Sequence, residues 1–141
     1  MKKLAFTLIA LLLALSPVPA VPQGASVYSF WAIQHQPAAA TQATIGRAAA
    51  AGTRHVATTI TVCVSAVAAQ PTLIFNLRDG ATGAGTILWS VRLMAVIGDG
   101  MCVVAPINIA GTVNTAMTIE SAAAPAATNF ATVSLNGYDT Y

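Results

Sequence analysis

Two histidines, two cysteines and four carboxylates are all that this chain of 141 residues offers for acid–base, nucleophilic or metal chemistry. Their spacing narrows the choices further. His35 and His55 lack the paired-histidine spacing of a catalytic zinc site, and neither Cys63 nor Cys102 has a further cysteine or a histidine at metal-ligand spacing. A glycosidase-like carboxylate pair would have to come from Asp79, Asp99, Glu120 and Asp139, three of which lie in or beside turn signals where aspartate is a turn former. No serine is framed as Gly-x-Ser-x-Gly. The run Gly80-Ala-Thr-Gly-Ala-Gly85 has the glycines of a phosphate loop, but no Lys-Ser/Thr follows it and it lies between two strand-like segments, so it reads as a hairpin loop. The expectation is a non-enzyme with no catalytic residues, no cofactor and no metal.

The cysteines carry a different chemistry. Met1 to Ala20 reads MKKLAFTLIALLLALSPVPA, with two lysines, an apolar run from Leu4 to Leu15, and small residues Val18 and Ala20 before Val21. That is the pattern of a secretory signal peptide cut before Val21. The alternative is an uncleaved anchor, which would make the membrane a partner, but a span needs about 20 apolar residues. In an exported chain Cys63 and Cys102 can close one disulfide loop of about forty residues, contributing on the order of 3–4 kcal/mol. The competing reading is two buried thiols acting as small hydrophobes. Alternation places Cys63 with Thr59 and Thr61, opposite Ile60, Val62 and Val64, so a bridge requires Cys102 to face the same way.

Charge excludes a further class. The net +2 rests on Lys2 and Lys3, the only lysines; beyond them Arg47, Arg54, Arg78 and Arg92 balance the four acids. Phosphate affinity needs clustered basic residues, so nucleic acid is not an expected partner. The chain is 56% hydrophobic and only 7% charged, and thirty residues are alanine. Such small side chains have few rotamers to freeze when copies pack together.

The elements that position these residues read as strands. Ser26 to Ile33 is aromatic and β-branched, suited to a first strand. Gln34 to Gly52 shows no sustained pattern and suggests an arm, or a short helix around Ala48. From Arg54 onward, period-two runs alternate with turn signals: Val56, Thr58, Ile60, Val62 and Val64 on one face, then Leu73, Phe75 and Leu77, then Ile87, Trp89, Val91 and Leu93. Further strands cover Met101–Ile109, Met117–Ser121 and Phe130–Leu135, with Asn136-Gly137 turning the chain. About seven short strands predict an all-β fold, an antiparallel β-sandwich of jelly-roll type, preceded by a hydrophobic N-terminal segment. The expected organisation is 1–20 signal peptide or anchor, 21–53 N-terminal strand and Ala-rich arm, and 54–141 sandwich.

The stretch from His55 to Tyr138, most particularly Asn76-Leu-Arg-Asp-Gly80 followed by Gly85-Thr-Ile-Leu-Trp-Ser90, resembles small Ala/Thr-rich β-sandwich structural proteins of tailed bacteriophages and prophages. The resemblance implies a virion component: a capsid decoration, head-fibre or tail-associated protein, oligomeric or bound to other proteins of its assembly. The same small-residue composition also suits a secreted filament or surface-layer subunit, so the expected location is exported or virion. In either case Tyr28, Phe30 and Trp31, with Arg78 and Asp79 on the hairpin loop, are the expected interface residues. The alternative is a secreted carbohydrate- or surface-binding module using an exposed Trp or Tyr.

Overall fold

The computed structural model describes residues 28–141; the signal peptide or anchor and Ser26–Val27 of the expected first strand lie outside them. Eight strands are present: β1 (Tyr28–His35), β2 (Thr44–Arg47), β3 (Arg54–Ser65), β4 (Leu73–Asp79), β5 (Thr86–Leu93), β6 (Gly100–Ala110), β7 (Met117–Ser121) and β8 (Phe130–Thr140). Sheet A has the order β1-β8-β3-β6 and sheet B the order β2-β7-β4-β5. The antiparallel pairings β1–β8, β2–β7, β3–β6 and β4–β5 are nested, as in one long hairpin rolled up on itself. That is the jelly-roll form of the antiparallel sandwich.

The core lies between the sheets and follows the period-two pattern. Ile60, Val62, Val64, Val133 and Leu135 point in from sheet A, while Leu73, Phe75, Leu77, Met117 and Ile119 point in from sheet B. Trp89 and Val91 are partly buried against this cluster. At one end of the core Asn129 replaces apolar packing with a closed set of hydrogen bonds. Its Oδ1 accepts from the backbone N–H of Val67 and of Ala68, and its Nδ2 donates to the Ala68 carbonyl and to Gln70 Oε1. Two loops that join strands of different sheets are tied there.

The sequence reading differs from the structure at four places, each with a physical reason. The eighth strand is β2, four residues inside the segment expected to be an arm or helix; its form comes from pairing with β7 and from Ala43, which is fully buried and bonded to Ser121. A bulge at Thr58 breaks the expected face of β3, leaving Val56 beside Tyr138 on the outer side while Ile60, Val62 and Val64 point inward. A second bulge, opposite Leu77 and Arg78, makes Leu88 the extra residue and turns Ile87 outward. Finally, β8 does not turn at Asn136-Gly137 but continues to Thr140.

Gly137 is in the strand because no side chain fits there. A Cβ at this position would lie 2.1 Å from the Val56 carbonyl oxygen and 2.6 Å from the Trp31 ring. The Trp31 indole crosses β8 over the gap that the glycine leaves. Gly137→Ala is therefore expected to destabilise the fold by about 1–3 kcal/mol through overpacking, read by chemical denaturation. An unchanged midpoint would show that both the Trp31 indole and the β3 backbone at Val56 give way without cost.

Candidate functional site

The densest polar cluster joins the two sheets at the end of the sandwich opposite Asn129. Asp139 points inward from β8 and is 3% exposed. Its Oδ1 accepts from the Trp31 indole N–H at 2.7 Å and lies 2.7 Å from His55 Nδ1, and its Oδ2 accepts from Arg47 at 2.6 Å. Arg47 comes from β2 in sheet B, so this ion pair crosses the sandwich. Its guanidinium also sits 5.6 Å from the centroid of the Trp31 ring, within cation–π range. By sequence alone Asp139 is one carboxylate among four and His55 a histidine without the spacing of a zinc site. The missed signal is parity: both occupy inward positions, where a titratable group must be paired.

A histidine bonded to a buried carboxylate is half of a general-base arrangement. Here the other half is absent. His55 Nε2, the atom that would take a proton from a nucleophile, lies 2.9 Å from the Ala48 carbonyl oxygen, which leaves it only a donor's role. The second carboxylate cluster is likewise internal. Glu120, 1% exposed, accepts from Arg78 Nε at 2.5 Å and from the Gly83 backbone N–H at 2.7 Å, folding the Gly80–Gly85 loop over the outer face of sheet B. Among the described residues no group of three or more His, Cys, Asp or Glu is placed to hold a metal ion.

The expected interface residues separate into two groups. Tyr28 and Phe30 lie on the outer face of sheet A, where their rings stand 5.2 and 5.8 Å from that of Tyr138 and frame a recess of about 180 Å³. Trp31 is a correction: it is turned in, 9% exposed, because strand alternation places it opposite Phe30 and Gly137 makes room beneath it. Arg78 and Asp79 are also engaged within the chain. Arg78 holds Glu120, and Asp79 accepts from the backbone N–H and hydroxyl of Thr112, so the exposed part of that hairpin is the Ala81–Gly85 tip. Cys63 and Cys102 are directly opposite each other on β3 and β6, Cα atoms 4.1 Å apart, and are joined as a disulfide on the outer face of sheet A.

The two outer faces differ in kind. Sheet B carries Arg78, Glu120 and Arg92 and is partly covered by the chain's own hairpin loop, fastened at Glu120 and through the Thr44 and Thr82 hydroxyls. Sheet A presents Phe30, Ala32, Gln34, Thr132, Ser134, Asn136, Tyr138, Thr59, Thr61, Val104, Pro106 and Asn108, with one charge, Arg54, at its end. Nothing within the described residues covers it. This uncharged face, not a pocket, is the candidate functional site.

The fold and this face define an all-β jelly-roll sandwich with one surface left open. No family model and no curated protein matches the sequence. Among solved structures, the chain is similar to one titled "Bacillus endospore appendages form a novel family of disulfide-linked pili", at 12% identity and TM-score 0.43, covering 89% of this chain and 100% of that one. It is also similar to one titled "nora virus structure", at 11% identity and TM-score 0.35, covering 80% of this chain and 56% of that one. At these scores the likeness carries no functional weight.

Asp139 gives the cluster a pH signature. Burial by itself would raise its pKa, but hydrogen bonds from His55, Arg47 and Trp31, together with the Arg47 charge, hold it below the ordinary carboxylate value. A lowered folded pKa means that the stabilisation is complete above the unfolded value and is lost as pH falls through the folded one. Asp139→Asn is expected to cost about 3 kcal/mol or more near neutral pH, since it strands Arg47 beside a buried neutral group. It should also flatten the decline of Tm with acidification that the parent protein shows below the ordinary aspartate range. Equal acid slopes for the two proteins would remove Asp139 as the source of that decline.

Proposed function

We propose that this chain is a non-enzymatic building subunit of a repeating structural assembly, exported from the cell or carried on a virion. The observation that carries the reading is the asymmetry of the sandwich. One outer face is charged and partly covered by the chain's own loop, while the other is uncovered among the described residues and nearly free of charge. Covering such a face avoids the large cost of burying ions, because it holds only one, at its end; its hydroxyls and amides need hydrogen-bond partners across the contact. The ion pairs support the same reading from the other side: the buried carboxylates of Asp139 and Glu120 are taken up by Arg47 and Arg78 in holding the fold together. A second apolar surface lies at the Asn129 end, where Val67, Met94, Val96 and Ile97 are exposed on neighbouring loops.

A glycan- or surface-binding module is the second reading, favoured by the recess between Tyr28, Phe30 and Tyr138. Phe30 is 78% exposed there, a position suited to stacking on a sugar ring. The two readings part in solution. An assembly subunit sediments as an oligomer whose size rises with concentration and is insensitive to added saccharides. A protein that stays monomeric, and binds a defined glycan only while Phe30 is intact, belongs to the second reading and overturns the first.

A further inference from the structure

We propose that the occupant of the outer face of sheet A is a second copy of the same chain, packed sheet on sheet about a two-fold axis that runs along the strands. This rests on the assembly reading and names its partner.

Size is the first argument. Four strands about 4.8 Å apart and about ten residues long make a face of roughly 600 Å² in projection, and side-chain relief brings its accessible area close to the ~800 Å² per partner of a stable interface. The aromatic recess alone is too small for that. Charge is the second. Arg54 is confined to the end of the face, so no charge lies at its centre; a two-fold axis along the strands brings the two Arg54 side chains to the same end, at the rim where water and salt screen them.

Shape is the third argument, and it selects the axis. The pairing register lays residues out in rows across the sheet from β1 to β6. One row is Phe30, Tyr138, Val56 and Ala110; another is Gln34, Ser134, Thr61 and Val104. In the first row the large rings stand on the β1 and β8 side and the small residues on the β3 and β6 side. An axis along the strands reverses each row onto itself. Phe30 of one copy then lies over Ala110 of the other and Tyr138 over Val56, so each large ring meets a small neighbour. Such a contact is isologous, the same patch on both copies.

Joining copies through β6 is a weaker alternative. In β6, one of the two edges of sheet A, Pro106 has the same phase as Cys102, whose 4.1 Å Cα–Cα separation marks a non-hydrogen-bonded pair with backbone groups turned away from β3. The nitrogen of Pro106 therefore faces the open edge and cannot donate to an added strand.

The test is sedimentation of the purified full chain and of two single variants on the face, Val104→Glu and Phe30→Glu, with Ser90→Glu on the outer face of sheet B as the comparison. Val104 is 64% exposed and Phe30 78%, so neither substitution disturbs the core, and far-UV circular dichroism checks that each variant is folded. The parent and Ser90→Glu proteins should self-associate alike, and the two face variants at least tenfold more weakly. Mixing Val104→Glu with Gln34→Lys should restore association, because the axis places position 34 of one copy over position 104 of the other. Association lost in Ser90→Glu but kept in both face variants overturns this interface and leaves the assembly reading standing. Failure of the charge pair to restore association overturns the two-fold register. A parent protein that is monomeric at every concentration overturns both the interface and the assembly reading.

Discussion

Among the described residues, the contact between Arg47 and Asp139 is the one ion pair that reaches from sheet to sheet. The rest of the sandwich is held by apolar contact across its middle and by the Asn129 hydrogen bonds at the far end. Arg47 comes from a four-residue strand at the edge of sheet B, and Asp139 from the second strand of sheet A. Their contact sets where β2 lies along β8. Trp31 and His55 bond the same carboxylate from β1 and β3, so three strands of one sheet and one of the other converge on a single side chain. The Gly137 gap, the inward Trp31 and the position of the 48–53 segment, fastened by His55 to the Ala48 carbonyl, all follow from that convergence.

Internal use of charge leaves the surface its character. Beyond the N-terminal lysines the chain holds eight charged side chains. Arg47 and Asp139 bind each other, Arg78 and Glu120 bind each other, and Asp79 is bonded to Thr112. What remains outside, among the described residues, is a sandwich with one nearly uncharged face and three charged side chains not used in this way, Arg54, Arg92 and Asp99. The same residues that stabilise the fold thereby restrict what it can bind.

Much of this architecture is written locally. The alternation in Ile60–Val64, Leu73–Leu77 and Phe130–Leu135 specifies strands and the faces they bury, because a two-residue period has only one way to put its apolar members together. Residues whose state depends on a distant partner are not legible in that way. Thr44–Arg47 is a strand because β7 lies beside it, and a four-residue run has too few members to show a period. Trp31 and Asp139 look like surface candidates until the strand is given its parity, and Gly137 resembles a turn residue until the ring that crosses it is known. Bulges at Thr58 and Leu88 shift faces by one residue, a change that no count of apolar positions reveals. The candidate site was legible as composition, a neutral and alanine-rich chain, but its confinement to one face emerges only from the sheet order.

The disulfide between β3 and β6 has a consequence beyond stability. Edge strands are the parts of a sandwich that neighbouring chains most readily exchange, one copy's strand leaving and another's taking its place. Here β6, one of the two edge strands of sheet A, is covalently fastened to the strand beside it, at a pair of positions where the backbone makes no hydrogen bond across. β6 can be covered by another molecule but cannot be surrendered to one. In any assembly the chain joins, this edge therefore stays with its own copy, so a molecule packed against β6 can come and go without unpairing it.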